Sequence, residues 1–404
     1  MTNVSEGKPS LPEFVVLVAL IISLVALSID AMLPALPLIA NDLGVTEIND
    51  SQYVISVFFA GLAIGQIVFG PMSDSLGRRP AIIAGFALFA VGCLLSIFAV
   101  SFEQMLLGRL LQGAGAAGPR IVSVALVRDQ FKGREMARVM SFVMTIFILV
   151  PVFAPAVGQL VLKIASWQAI FMLFLLLVLV VVSWFYLRQP ETLQRHNRIR
   201  FSLSQLLIDT RAIFRIRAAL GYTLTMGFAF GAFIGYLSSS QQIFQVQYEL
   251  HELFPLYFGL LACAIGCASL LNAQLVLRFG MRRLSRFALR GICFLSVPFY
   301  LYAWMQLGHP PIYLLMAYLL PLFFCFGVLF GNLNALAMEP LGHVAGLGSA
   351  LVGSVSTLMS VLFGVLIADA YDQTVLPLVA GFALLGLAGL ATIRWTDSGL
   401  VEEA

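Results

Sequence analysis

Apolar residues run along this chain in long unbroken stretches, unlike the alternation of a half-buried strand or the narrow stripe of a surface helix. Cutting those stretches at proline, glycine and charge clusters predicts twelve spans, near 13–38, 51–70, 80–100, 104–127, 138–162, 167–187, 218–240, 254–277, 286–305, 311–334, 345–368 and 374–393. Each matches the ~20 residues that carry a helix across a hydrocarbon layer. The first run carries Asp30 and is too long for a cleavable leader, so it reads as the first span. Connections are short except over 188–217, a basic linker with a surface helix expected near 202–213. The expected organisation is an all-α membrane protein: a six-helix bundle over 1–187, the linker 188–217, and a second six-helix bundle over 218–404, facing each other pseudo-symmetrically across a central cavity.

Composition sharpens this reading. Hydrophobic residues make up 60% of the 404 and charged residues only 11%, against roughly 25% charged in soluble domains. The five cysteines (Cys93, Cys263, Cys267, Cys293, Cys325) all lie inside apolar runs, with no disulfide framework and no metal-ligand spacing. The net charge of +3 matters less than its distribution. With the N-terminus cytoplasmic, 20 of the 23 Lys and Arg fall on the cytoplasmic side, leaving Lys163 outside and Arg109 and Arg120 within a span. The outer loops carry Asp42, Glu47, Asp50, Glu103, Glu249, Glu252 and Asp372 instead. Both termini are therefore expected inside a bacterial cytoplasmic (inner) membrane. An internal echo supports the halving: Gly280-Met-Arg282-Arg283 follows Gly77-Arg78-Arg79 at a distance of 203 residues, again after the second span of a half.

A charge inside a span is costly and marks a pathway or a partner. Asp30 in span 1 and Arg109 in span 4 are expected at similar depth, ~9–14 Å below the outer surface at 1.5 Å per residue. An acid in apolar surroundings holds its proton, and a guanidinium neighbour loosens it. An acid between those influences can exchange a proton with water. The alternative is a fixed ion pair that registers helix 1 against helix 4. Arg120 lies eleven positions after Arg109, within ~20° of the same helix face. With Gln112 nearby, two stacked arginines would favour an anionic or polar group on a ligand; the alternative is that Arg120 snorkels to the cytoplasm. Among the 33 Phe and 11 Tyr, Tyr53, Phe228, Phe233 and Tyr236 are candidates to line an aromatic cavity, with core packing as the other reading.

The loop Gly70-Pro-Met-Ser-Asp74-Ser-Leu-Gly77-Arg78-Arg79-Pro80 resembles the loop between helices 2 and 3 of the major facilitator superfamily, with Ser75 standing where the family carries a basic residue. Asp30-Ala-Met-Leu-Pro-Ala-Leu-Pro37, Arg109-Leu-Leu-Gln-Gly-Ala-Gly-Ala-Ala117 and Glu339-Pro-Leu-Gly-His-Val-Ala-Gly-Leu-Gly-Ser-Ala350 resemble its Bcr/CflA drug-resistance branch. That resemblance implies export of small organic compounds in exchange for protons, with Asp30 and Arg109 in the coupling roles. It further implies a cytoplasmic latch formed by Gly70, Asp74, Gly77, Arg78 and Arg79, engaging Arg128 at the end of span 4. Pro151-Val-Phe-Ala-Pro155-Ala-Val-Gly158 resembles the span-5 antiporter element, with Ala154 in place of its glycine. Pro155 and Gly158 would then serve gating.

Other classes are weakly served. There is no Gly-x-x-x-x-Gly-Lys-Ser/Thr phosphate loop, so ATP is not expected to drive the chain by itself; no cofactor is expected, and the resemblance implies that the proton gradient supplies the energy. Four scattered histidines offer neither a metal cluster nor a catalytic triad. A membrane enzyme or sensor would need a soluble domain, and the longest expected loop has about thirty residues. The expected partners are a small-molecule substrate, lipid and protons, with no nucleic acid, in a monomer. Transport of a small anionic metabolite is the alternative that Arg109 and Arg120 leave open.

Overall fold

The computed structural model of the protein describes residues 9–198 and 210–402. The surface helix expected near 202–213 falls largely on 199–209, outside the described residues. Among those described there is no strand, and twelve helices are long and apolar enough to cross a membrane. They are α1 (Leu11–Asp42), α2 (Asn49–Leu76), α3 (Arg78–Ile97), α4 (Phe102–Gln130), α5 (Arg138–Ile164) and α6 (Gln168–Arg188). Then follow α7 (Arg217–Gln247), α8 (Phe254–Phe279), α9 (Met281–Met305), α10 (Ile312–Leu341), α11 (Leu347–Asp369) and α12 (Leu376–Ser398).

Every expected span coincides with one of these helices, and several helices outrun the hydropathy signal. α4 continues through Arg128 and Asp129, and α7 continues past Ser238-Ser-Ser-Gln-Gln242 into a π-turn at Gln242–Gln247. Polar residues end a hydrophobic run without ending a helix, because nothing in them prevents the next backbone hydrogen bond.

α1 is the interrupted one. Its regular α-helix stops at Asp30, a 3-10 turn occupies Leu33–Ala35, and helical geometry resumes at Leu36. Pro34 accounts for the break. Its ring excludes the carbonyl four residues back, which belongs to Asp30, and it has no N–H to offer.

Backbone contacts group the chain into two compact units, Met1–Val45 with Val57–Ser202, and Thr46–Ser56 with Leu203–Ala404. The first few residues of α2 thus group with the C-terminal half. Within the first unit, small residues let helices touch backbone to backbone, as membrane packing without a hydrophobic drive requires. α5 meets the break in α1 in this way: a Cβ at Gly158 would overlap the carbonyl of Ala31. Within the second unit, Gly227, Gly231 and Gly235 of α7 receive Met359, Phe363 and Ile367 of α11, one helical turn apart each time. Large apolar side chains such as Leu277 (89% exposed), Ile164 (82%) and Phe294 (77%) point away from the protein, as only a lipid surround permits.

Candidate functional site

Asp30 ends the regular part of α1 and is 5% exposed. Among the described residues no hydrogen bond or ion pair reaches its carboxylate. The backbone around it is released from helical pairing by Pro34 and is held from the other side by Gly158. Pro155, one turn before Gly158 on α5, is buried as well.

Arg109 lies in α4 and is completely buried. Its Nη1 donates to Oε1 of Gln112 at 2.5 Å, and its guanidinium stacks 4.5 Å from the Phe58 ring centre. Gln112 is itself fully buried and donates to Ser96 Oγ at 3.3 Å. The structure therefore does not join Asp30 to Arg109 by an ion pair, although both are shut away from lipid. Arg109 is turned instead toward α2 and along its own helix, because Gln112 stands one turn away on α4 and Phe58 faces it.

Arg120 is different. It lies near the middle of α4, ten residues, or ~15 Å, before the helix end at Gln130. It is half-buried, and among the described residues it makes no hydrogen bond, ion pair or cation–π contact.

The expected polar loop between the second and third spans is almost wholly helical: Gly70, Ser73 and Asp74 lie in α2, Arg78 and Arg79 in α3, and Gly77 alone separates them, with a dense polar cluster around this junction. Arg78 is only 4% exposed. Its Nη1 donates to Asp74 Oδ1 at 2.5 Å and to Ser73 Oγ at 2.9 Å, while its Nε donates to Asp129 Oδ2 at 2.9 Å. Asp129, next to the exposed Arg128, is the residue through which α4 engages this junction. Glu191, just beyond α6, accepts from the backbone N–H groups of Arg78 (3.0 Å) and Arg79 (3.1 Å). A carboxylate on those N-terminal groups of α3 satisfies orphan donors and complements the helix dipole. Thr192 donates to Asp129 at 3.1 Å, closing the ring. Arg79 stacks 4.3 Å over the Tyr186 ring and donates to the Tyr186 carbonyl at 2.5 Å. Gly77 has φ +119°, and a Cβ there would overlap the Glu191 carboxylate, so glycine is required twice over. Gly70 contributes its carbonyl to Ser73 Oγ at 2.9 Å. Asp129, Glu191 and Ser73 were not among the sequence candidates.

The aromatic candidates divide. In the second unit Phe233 joins a cluster with Tyr236, Phe323, Phe326 and Phe330, at ring separations of 5.3–6.3 Å. Tyr236 is 2% exposed. Phe228 packs on Phe363 at 5.3 Å. Phe228 and Phe233 keep partial exposure, whereas Tyr236 is interior.

Tyr53 belongs to a polar cluster at the start of α2. Its hydroxyl donates to Asp369 Oδ2 at 3.2 Å. Asn49 Nδ2 donates to the carbonyls of Asp369 and Tyr371 at 3.0 Å each, and Gln52 bonds Gln242. The Tyr371 hydroxyl, pushed up to about 12 by burial with the Asp372 carboxylate adding to it, stays protonated and donates to the Gln242 carbonyl at 3.3 Å. A hydropathy reading does not find this cluster, because its bonded members lie 129–322 residues apart.

Comparison with known proteins fits this arrangement. The sequence pattern of the Major Facilitator Superfamily matches residues 18–364. An uncharacterized MFS-type transporter, YdgK of Bacillus subtilis, is 30% identical over 88% of each chain. The bicyclomycin resistance protein homolog of Haemophilus influenzae is 29% identical over 91% of each. A multidrug resistance protein, MdtL of Klebsiella pneumoniae, is 33% identical over 46% of this chain and 50% of its own. Among solved structures, the human organic anion transporter MFSD10 superposes with a TM-score of 0.71 over 96% of this chain and all of its own, at 18% identity, a likeness of fold. Twelve membrane helices, the polar α2–α3 junction and these matches lead to one conclusion: the chain belongs to the major facilitator superfamily, as a multi-pass membrane transporter and not an enzyme.

Proposed function

We propose that the protein exports small organic compounds from the cytoplasm across a bacterial inner membrane in exchange for protons, with Asp30 as the group that carries the proton. The observation that bears most weight is the setting of Asp30: a buried carboxylate, at a break in α1, with no partner among the described residues. A charge so placed is expensive, and taking up a proton removes the cost. The relatives named for bicyclomycin and multidrug resistance support export as the direction. Arg109, stacked on Phe58 and held by Gln112, supplies a fixed positive field in the same unit, and substrate arriving from the cytoplasm would displace the proton. Asp74, Arg78 and Asp129, with Glu191 capping α3, hold the cytoplasmic ends of α2, α3 and α4 as one body during alternating access.

The test is accumulation of a dye or antibiotic in inverted vesicles under an imposed pH gradient, acid inside. Exchange of one proton per molecule against one pH unit stores about 1.4 kcal/mol, or tenfold accumulation. Accumulation that ignores a protonophore would defeat the antiport reading.

Arg120 favours a second, narrower reading, that the preferred compounds carry a negative group. A half-buried guanidinium without a counter-charge among the described residues is ready for a carboxylate or phosphate. Two xanthene dyes of one skeleton, anionic carboxyfluorescein and cationic rhodamine 123, separate charge from shape. Arg120→Gln is expected to cut carboxyfluorescein efflux about tenfold, as loss of one charge-assisted contact would, and to leave rhodamine efflux intact. Equal loss of both dyes would assign Arg120 to packing.

A further inference from the structure

α8, α9 and α10 enclose a groove of about 630 Å³ at the end of the second unit where α8 turns into α9. Its walls are apolar, with Leu275 and Phe279 from α8 and Phe324 and Val328 from α10. Its third side is α9, which presents Arg283, Arg286 and Arg290 at intervals of three and four, so that all three lie along one helix face. No acidic residue lines the groove. Asp397 partly neutralises Arg286 from α12, at 3.5 Å. Arg283 and Arg290 are exposed and, among the described residues, make no hydrogen bond or ion pair.

Depth distinguishes these arginines from ordinary surface cations. α9 has 25 residues, or ~37 Å of length against a hydrocarbon core of ~30 Å. Arg290 is nine steps from Met281. Even with all the excess length at that end, it sits ~6 Å inside the hydrocarbon boundary. A guanidinium there needs an anion brought to it, or must stretch to the phosphate level. The cation count assigns this end to the cytoplasmic leaflet, where anionic lipids are available.

We propose that this groove is a binding site for an anionic phospholipid of that leaflet. Its phosphate is held by Arg283 and Arg290, and its acyl chains lie on the α8 and α10 walls. Two guanidinium forks favour a headgroup of net negative charge over a zwitterionic one, whose phosphate is already neutralised by its own cation. The apolar walls suit a lipid better than a free anion. The site is independent of the transport cycle proposed above and stands whether or not Asp30 carries a proton.

Native mass spectrometry of the purified full chain, offered equal amounts of phosphatidylglycerol and phosphatidylcholine, tests it. The wild type is expected to retain phosphatidylglycerol selectively. R283Q/R290Q should weaken that retention about thirtyfold, taking roughly 1 kcal/mol for each cation near the membrane surface. Val328→Trp, which fills the apolar wall and keeps all three arginines, should lose the lipid as well. Unchanged melting temperatures without added lipid confirm that both variants are folded. The proposal is overturned if the double variant keeps its phosphatidylglycerol, if phosphatidylcholine is held equally well, or if soluble glycerol phosphate displaces the lipid at equal concentration.

Discussion

Asp30→Asn should abolish uphill accumulation of substrate in inverted vesicles while leaving downhill exchange intact. Asparagine keeps the size and shape of the side chain, so the break at Pro34 and the contact of Gly158 with Ala31 survive the change. What it removes is the ability to alternate between a charged and a neutral state. A transporter that cannot alternate can still rock with its cargo, but the pH gradient no longer drives it in either direction. The tenfold accumulation per proton and pH unit should therefore fall to unity. Undiminished gradient-driven uptake by the variant would remove Asp30 from the mechanism.

Arg78→Gln is the second large effect, and it falls on stability. Asp74 (25% side-chain exposure) and Asp129 (17%) both address the single Arg78 guanidinium. Removing the cation leaves two carboxylates close together with no counter-charge between them. Breaking a fully buried pair costs roughly 3–5 kcal/mol. Partial exposure of the two acids reduces this to about 2–3 kcal/mol. Thermal unfolding in detergent should show a clear drop, partly restored in the triple variant D74N/R78Q/D129N. A melting curve unmoved by Arg78→Gln would mean that the cluster contributes nothing to cohesion of the first unit.

Much of this fold could be read in the chain because membrane insertion is governed by local composition. The twelve spans follow from runs of ~20 apolar residues, while the interruption of α1 at Pro34 emerges only in the structure, the hydropathy run being continuous across it. The resemblance named Asp74 and Arg78 as latch members, but their mutual pairing spans the break at Gly77 between α2 and α3, which no helical spacing reports. What escaped depends on facing. Asp129 reaches Arg78 across 51 positions, and Glu191 reaches it across 113; no periodicity reports which helix ends meet. Arg109 shows the same limit. Depth counting placed it level with Asp30, but the rotation of α4 aims it at Phe58 and Gln112. Tyr53, a candidate for an aromatic cavity wall or for core packing, stands instead in a polar cluster with Asp369, its partner lying 316 residues away.

Coupling in this scheme depends on a proton held by one buried carboxyl group and released when cargo arrives. Purified protein in weakly buffered detergent, mixed with a compound that it accumulates, puts that to the test with a pH indicator. The wild type should release protons on binding, in proportion to the protein present, and Asp30→Asn should bind the same compound and release none. Equal proton release from the two proteins would contradict the account.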